Sequence, residues 1–282
     1  MTEAPTVLGN AGRKEGSAAW LVRAWRSTAR TRFLLLLFLA LGLVWQAACR
    51  IFAIRPFLFP APTDVLAKIV ADPLFLLNHM AYTTLSVLCG FGLAVVVGVG
   101  IAILVAYSPF LERTLFTLLV AFNAIPKVAI APLFVLWVGT EIESKILIAF
   151  LIALFPMVVD TVQGLKSIDP ALLDLARAYR GSMGQVFWKI RLRQALPSIF
   201  AGMKVAISLA LIGTIVGEFV GANRGLGYVI MQAQGTYQTS LVFAALLLLG
   251  VLGTILFNLV DVAERLALPW HVAHRSEADG RS

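Results

Sequence analysis

Charged residues are scarce in this chain. Only 13% of its 282 residues are Asp, Glu, Lys or Arg, and 60% are hydrophobic, whereas an ordinary soluble domain is about one quarter charged and one half apolar. This composition excludes a typical water-soluble domain and indicates a chain that lies largely in lipid. Because backbone groups in a bilayer must find hydrogen-bond partners within their own segment, we expect an all-α membrane protein.

Groups that carry out chemistry are also scarce. The two cysteines and three histidines lack the spacing of a metal or redox site. No Walker A, HExxH, G-x-S-x-G or Cys-x-x-Cys pattern occurs, and no segment between the apolar runs is long enough for a nucleotide-binding or solute-binding domain. We therefore expect a chain that is not an enzyme, that holds no metal or cofactor, and that relies on other polypeptides for such domains.

What the chain does contain is six apolar runs, and a helix needs about 20 apolar residues to cross a bilayer. The runs cover residues 33–49, parts of 81–110 and 114–139, and then 142–163, 197–220 and 239–260. Pro126 and Lys127 interrupt the third run. The prediction is six transmembrane helices in a membrane domain of residues 33–266, with an N-terminal segment at 1–32 and a C-terminal tail at 267–282.

Lysine and arginine predict the orientation. If the N-terminus is cytoplasmic, most of the 23 basic residues fall in inside loops, Lys204 among them, and only a few, such as Lys145, fall outside. Cytoplasmic loops of membrane proteins carry this excess. We therefore expect a multi-pass protein of the bacterial inner membrane with both termini in the cytoplasm. The net charge of +8 then reflects topology rather than nucleic-acid binding.

The N-terminal segment has an amphipathic helical pattern. At about 100° per residue, Arg23, Arg26 and Arg30 share one arc, and Trp20 and Trp25 lie across from them. The pattern predicts an interfacial helix that anchors the chain. A solvated basic tail is the alternative.

The longest cytoplasmic loop, at 164–196, predicts two short helices. Asp169 and Pro170 are typical of a helix start, and Gly181 is typical of a helix end. Ser182 and Gln185 form a capping box that begins a second helix, which Pro197 would separate from the next span. The first helix is amphipathic, so it is a candidate to insert into a groove of a partner; packing against the bilayer is the alternative. Its apolar face holds Leu172, Leu175, Ala176 and Tyr179, and its other face holds Asp174 and Arg177.

Three segments resemble one family. DLARAYRGSMGQVFWKIRLRQALP resembles the EAA loop by which ABC importer permeases dock on their ATPase, in the variant of the alkanesulfonate, taurine and nitrate permeases. NAIPKVAIAPLFVLWVGTEIESKI and GEFVGANRGLGYVI resemble segments in and after the third and fifth spans of that family. The family's usual glycine falls on Arg180 and its usual proline on Arg193, which are departures within the loop.

The resemblance implies an architecture and a set of partners. It implies a type I importer permease fold of six helices, a second permease copy in a homodimer, two ATPase subunits that bind ATP and Mg, and an extracytoplasmic solute-binding protein. The solute would be small and anionic, of the sulfonate, taurine or nitrate kind; a vitamin precursor or aromatic acid is the alternative, and a self-sufficient secondary carrier is a more distant one. The residues that would couple to the ATPase are Leu172, Asp174, Leu175, Ala176, Arg177, Tyr179 and Gly181.

Polar groups inside the spans are candidates for the translocation path, because a central charge costs about 2.5–3.5 kcal/mol in a membrane. Lys127 is the deepest charge in the pattern and follows Asn123 and Pro126, so these three are predicted to line the path; a kink with an interhelical hydrogen bond is the alternative. Glu218 could gate the path or contact solute, but an exposed carboxylate or one paired with Arg224 is the simpler expectation.

A glycine stripe marks the fifth span. Gly213, Gly217 and Gly221 recur at i+4, a spacing that lets another helix backbone approach closely. We expect a packing surface there, at the seam between two permease copies.

Overall fold

The computed structural model describes residues 36–269, except for the side chains of residues 109, 115, 116, 119, 120, 170, 173, 177 and 183. In this range the chain is helical between short connections and contains no strand. The predicted interfacial helix, the whole N-terminal segment at 1–32 and residues 270–282 of the predicted C-terminal tail lie outside the described residues. The helices are α1 (Leu36–Ile51), α2 (Pro62–Ala71), α3 (Pro73–Tyr107), α4 (Pro109–Ala124), α5 (Lys127–Val138), α6 (Ile142–Lys166), α7 (Pro170–Ala178), α8 (Met183–Val186), α9 (Leu192–Gly221), α10 (Leu226–Gly235) and α11 (Thr239–Ala267).

The chain divides into two units after Asp64. In the first unit, the proline-rich loop after α1 folds back onto that helix. The Gln46 side chain accepts a hydrogen bond from the Thr63 N–H at 3.2 Å, and the rings of Trp45 and Phe59 lie 5.4 Å apart. Cys49 is buried there, with its Sγ 3.9 Å from the Pro60 carbonyl oxygen, so it packs rather than reacts.

Four helices of the second unit are long and apolar enough to cross a membrane: α3, α6, α11 and a continuous segment, Gly184–Gly221, that contains α9. The prediction of an all-α membrane protein is confirmed. The third apolar run is instead two shorter helices, α4 and α5. The chain leaves the helical conformation at Ile125, whose ψ of 127° is the extended backbone that a residue before proline favours.

The prediction that Pro197 opens a separate span is wrong. The helix runs from Gly184 to Gly221 with Pro197 inside it, after a π-helical turn at Phe187–Arg191 where the Leu192 N–H donates to the Phe187 carbonyl. Proline removes one backbone hydrogen bond from a helix interior. Buried side chains on both sides of it, Ala195 and Ile199, continue one packed face, so burial holds the helix together across the proline.

Small residues hold α3, α6 and α9 close together. A Cβ on Gly90 of α3 would lie 2.6 Å from the Ala149 Cβ of α6, and a Cβ on Gly213 of α9 would lie 2.8 Å from the Ala149 Cα. Ala149 is therefore in contact with a glycine on each neighbouring helix. Such close approach is how helices pack in membranes, where lipid tails remove the hydrophobic drive to associate.

Candidate functional site

A cavity of about 400 Å³ lies beside the break between α4 and α5. Asn123 lines it from α4 and Lys127 from α5, and α6 forms the opposite wall. The Lys127 Nζ donates a hydrogen bond to the Asn123 Oδ1 at 2.5 Å. The remaining lining is apolar and includes three phenylalanines; it comprises Phe122, Ile130, Phe134, Ile148, Leu151, Leu154 and Phe155.

The break itself places these two polar side chains together. Pro126 precedes the first residue of α5, and its ring fixes φ at −64°. The Phe122 carbonyl, which a continuous helix would pair with residue 126, accepts from the Ile125 N–H at 3.3 Å. Of the residues predicted to line the path, the structure brings Asn123 and Lys127 into one cavity beside Pro126 and leaves Glu218 elsewhere.

Glu218 is buried, with 1% of its surface exposed. Its Oε1 accepts a hydrogen bond from the Thr83 hydroxyl of α3 at 2.8 Å, and its Oε2 accepts from the Gly227 N–H at 2.7 Å. The expectation of an exposed or Arg224-paired carboxylate is therefore wrong. Its partners are a backbone N–H nine residues later and a hydroxyl from a distant helix, and neither can be found from local sequence.

The network around Glu218 caps the N-terminus of α10. The first N–H groups of a helix lack partners inside it; here Gly225 donates to the His79 Nδ1 at 3.0 Å and Leu226 donates to the Thr83 Oγ1 at 2.9 Å. A Cβ on Gly225 or Gly227 would overlap the Glu218 side chain, and Gly225 has a φ of 111° that side chains disfavour. Glycine is thus needed at both positions of this Gly-Leu-Gly sequence, because any side chain there would overlap the Glu218 carboxylate.

Lys145 is the fully buried lysine among the described residues, although orientation counting placed it in an outer loop. Its Nζ donates to the Gly221 carbonyl at the end of α9, 2.8 Å away, and also to the Thr140 carbonyl. A cation at a helix C-terminus complements the helix dipole. Lys145 falls inside the predicted span 142–163, and this position indicates burial. The orientation prediction instead treats it as a loop residue.

Other helices of the same chain pack against the glycine stripe of α9. A Cβ on Gly217 would lie 3.1 Å from the Ile148 Cδ1 and 3.3 Å from the Lys145 Cα of α6, and one on Gly221 would lie 3.0 Å from the Val135 Cγ1 of α5. The expectation that the stripe lies at the seam between two copies is wrong, because α5 and α6 already occupy it.

The loop at 164–196 has the local structure that its sequence predicts for the first helix. The Asp169 Oδ1 accepts from the Ala171 N–H at 2.9 Å, and Ser182 and Gln185 exchange hydrogen bonds at 3.1 and 3.3 Å, as in a capping box. The left-handed residue that ends α7 is Arg180, with a φ of 53°, and not Gly181, whose N–H donates to the Ala176 carbonyl at 2.9 Å. This is a Schellman end with arginine where glycine is easier.

The apolar face of α7 is uncovered. Leu172 is 37% exposed and Leu175 55%, and Ala176 is half-buried. Tyr179, the residue directly after α7, is 81% exposed. Asp174 is exposed, and the side chain of Arg177 is outside the described ones. Near this loop Lys166, at the end of α6, forms an ion pair with Glu112 of α4.

An ionic cluster joins α9 to α11. The Lys204 Nζ lies 2.5 Å from the Asp261 carboxylate and also pairs with Glu264, while Arg265 pairs with Asp261 at 2.7 Å. Orientation counting placed Lys204 in a cytoplasmic loop, but its side chain is only 15% exposed within the spanning helix. The sixth span also continues past residue 260 and so includes these acidic residues.

Comparison with known proteins decides the family. Residues 94–267 match the family described as binding-protein-dependent transport system inner membrane component. The chain belongs to this family. The permease is 34% identical over 237 residues to the formylaminopyrimidine transport permease protein ThiX of Halalkalibacterium halodurans, a match that covers 83% of the permease and 94% of ThiX. It is 27% identical to the taurine transport system permease protein TauC of Escherichia coli, over 81% of the permease and 86% of TauC.

A solved structure supports the fold. The permease superposes on a chain of the MetNI methionine ABC transporter, in an inward-facing conformation, with a TM-score of 0.60 and 22% identity; the match covers 68% of the permease and 96% of that chain. The fold is that of a type I ABC importer permease. The permease is also 31% identical to the putative aliphatic sulfonates transport permease protein SsuC of Bacillus subtilis, over 80% of the permease and 83% of SsuC. The resemblance to ABC permeases of the sulfonate and taurine type is confirmed. The permease is thus a multi-pass transport subunit and not an enzyme, a separate subunit hydrolyses ATP, and a secondary carrier is excluded.

Proposed function

We propose that the permease carries a small anionic solute, of the sulfonate, taurine or nitrate kind, from an extracytoplasmic binding protein to the cytoplasm. One observation carries the proposal: Lys127 projects a cation into a cavity whose other lining is apolar except for Asn123. A charge in such surroundings is costly, and an anion bound beside it would offset that cost.

The geometry leaves room for such an anion. An ammonium group has three donors, and Asn123 uses one of those of Lys127. The cavity of about 400 Å³ is within the range of small-molecule sites. We therefore assign Asn123 and Lys127 to the translocation path and Pro126 to the break that places them there.

A second candidate solute is an aromatic acid or a vitamin precursor. Phe122, Phe134 and Phe155 line the same cavity and offer faces on which a ring could stack. The relative ThiX, named for formylaminopyrimidine transport, supports this alternative.

Topology and assembly complete the proposal. The six spans would be α1, α3, the α4–α5 pair, α6, α9 and α11, in a membrane domain of residues 33–266 between a segment at 1–32 and a tail at 267–282, with both termini cytoplasmic. Two contacts support spans that alternate in direction. His79 near the start of α3 binds Gly225 just after the end of α9, so these two helices run in opposite directions. Lys166 at the end of α6 pairs with Glu112 at the start of α4, so the same holds for that pair.

The coupling surface is proposed at α7. The exposed side chains of Leu172 and Leu175 on α7, and of Tyr179 directly after it, would insert into an ATPase subunit. A homodimer of permeases would bind two such subunits, which hold ATP and Mg. The end of α7 at Arg180 and Gly181 would fix the angle at which the helix is presented. ATPase closure would then alternate the opening of the path.

The test is ATP-dependent uptake by the complex of permease, ATPase and binding protein in proteoliposomes. Labelled ethanesulfonate, taurine, nitrate and benzoate are compared. Lys127→Met should reduce uptake of the transported anion about tenfold or more, because it removes a charge-assisted hydrogen bond, and Lys127→Arg should retain most of it. Lys68→Met, an exposed lysine on α2, is the matched control. Full uptake by Lys127→Met would return Lys127 to a structural role.

A further inference from the structure

A second cavity, of about 690 Å³, lies where the start of α3 meets the turn between α9 and α10. Unlike the cavity at Lys127, it has polar side chains at five of its seven lining residues; the other two are Ala81 and Leu85. Asn78, His79 and Tyr82 come from α3, and Asn223 and Arg224 come from the turn. Every one of these five side chains can donate a hydrogen bond.

The His79 ring is fixed in position and in tautomer. Its Nδ1 accepts a hydrogen bond from the Gly225 N–H at 3.0 Å, so that nitrogen carries no proton and the proton lies on Nε2. Phe75 contacts the ring edge-on at 4.4 Å and Tyr228 stacks on it at 5.8 Å, measured between ring centroids. The Nε2–H is therefore a preoriented donor.

Arg224 supplies the charge of the cavity. Its side chain is exposed and forms no ion pair with a carboxylate among residues 36–269. Glu218, the nearest acidic residue along the chain, directs both oxygens at Thr83 and Gly227 and does not line the cavity. Glu141 and Glu143, at the start of α6, do not line it either, although the carboxylates of these two residues and of Glu218 act electrostatically on Tyr82. A guanidinium group binds two oxygens of a carboxylate or sulfonate at once.

We propose that the cavity between Asn78, His79, Tyr82, Asn223 and Arg224 is a binding site for the sulfonate or carboxylate group of the solute. The site rests on the proposed function, since it assumes an anionic solute. In the proposed topology it lies at the extracytoplasmic end, so it receives the anion from the binding protein before the anion reaches Lys127. One fixed donor at His79, further donors from two elements, and a guanidinium group that forms no ion pair among the described residues together suit an oxyanion. The N–H groups that begin α10 are already occupied.

Saturation-transfer difference NMR with ethanesulfonate tests the site. The permease–ATPase complex is placed in phosphatidylcholine nanodiscs, and Lys127→Met is used as background so that binding in the other cavity is removed. Binding should persist in that background and should weaken about tenfold or more when Arg224→Gln is added. Adding Tyr82→Phe should weaken it to a smaller extent. Arg55→Gln, an exposed arginine in the first unit, is the matched control.

The outcomes separate this site from the proposed function. Dimethyl sulfone, a neutral probe of similar size, should not bind. If ethanesulfonate binding disappears with Lys127→Met alone, the outer site is overturned while the path at Lys127 stands. If binding is equally strong with and without Arg224→Gln, the cavity is not an oxyanion site. Binding that persists with Lys127→Met and is lost when Arg224→Gln is added supports this site. The path assignment is tested separately by uptake, where full activity of Lys127→Met would contradict it.

Discussion

The hydroxyl of Thr83 donates to the carboxylate of Glu218 at 2.8 Å and thereby links α3 to α9 across 135 residues of sequence. The same hydroxyl oxygen accepts the Leu226 N–H, and the same carboxylate accepts the Gly227 N–H. One buried pair therefore fixes α3, the end of α9 and the start of α10 relative to one another.

Glu218→Ala should destabilise the permease. It leaves the Gly227 N–H buried without its acceptor, which costs about 1–3 kcal/mol. The Thr83 hydroxyl loses its shorter hydrogen bond and keeps the His79 carbonyl, 3.2 Å away, as an acceptor. Glu218→Gln should cost less, because an amide oxygen can still accept one of the two bonds. The thermal midpoint of the purified protein in detergent measures the effect. Glu143→Ala, an exposed glutamate on α6, should leave the midpoint unchanged; an unchanged midpoint in Glu218→Ala as well would refute the capping role.

Gly213→Ala should also lower stability, by about 1–3 kcal/mol, because the added methyl group would lie 2.8 Å from the Ala149 backbone, which cannot rotate away. The matched control is Gly250→Ala on α11, where no atom lies within 4 Å of the new Cβ. Unfolding in mixed micelles of increasing denaturing detergent gives the comparison. Equal stability of the two variants would mean that α6 and α9 are packed less closely than the structure shows.

Lys204→Met should be strongly destabilising, by about 3 kcal/mol, because it leaves the largely buried Glu264 carboxylate without its cation and leaves Asp261 paired with Arg265 alone. Adding Asp261→Asn and Glu264→Gln to the same variant should restore much of the loss, since the uncompensated charges are then removed. The same unfolding measurement applies, with Lys189→Met, an exposed lysine, as control. Absence of rescue would indicate that packing of the lysine stem, rather than its charge, stabilises α9 against α11.

Leu175→Asp should abolish co-purification of the ATPase without affecting membrane insertion. The side chain is 55% exposed on α7, so the substitution costs the permease little by itself but places a charge where an apolar contact is proposed. Tyr237→Asp, which changes an 80% exposed side chain after α10, is the control. The measurement is the amount of ATPase recovered when the permease is pulled down from mild detergent. Undiminished recovery of the ATPase with Leu175→Asp would show that Leu175 does not contact it.

The parts predicted correctly depend on neighbouring residues. The start of α7 at Asp169 and the capping box of Ser182 and Gln185 involve side chains that bind backbone groups two or three positions away, so their spacing in the sequence is sufficient. The break at Pro126 has the same local origin. The left-handed conformation at Arg180 was not predicted, because glycine at the next position was the better local candidate.

The errors share a different cause. Lys145, Lys204 and Glu218 were placed by their distance from apolar runs, yet each one is buried by partners from another helix. The glycine stripe was identified by its spacing, but spacing does not say which helix fills it. Pro197 was predicted to begin a new helix because proline has no N–H and removes one backbone hydrogen bond from a helix. Buried residues on both sides of Pro197 nevertheless keep the helix continuous.

The sequence by itself determined the membrane setting, the family and the local caps, because hydropathy, motif and short-range hydrogen bonding are properties of contiguous residues. Only the tertiary structure decided which charges are buried, which helix fills the glycine stripe and where Asn123 and Lys127 meet an apolar wall. Those features depend on contacts between residues far apart in the chain, and the free energy of burying a polar group is set by the partner that the fold brings to it.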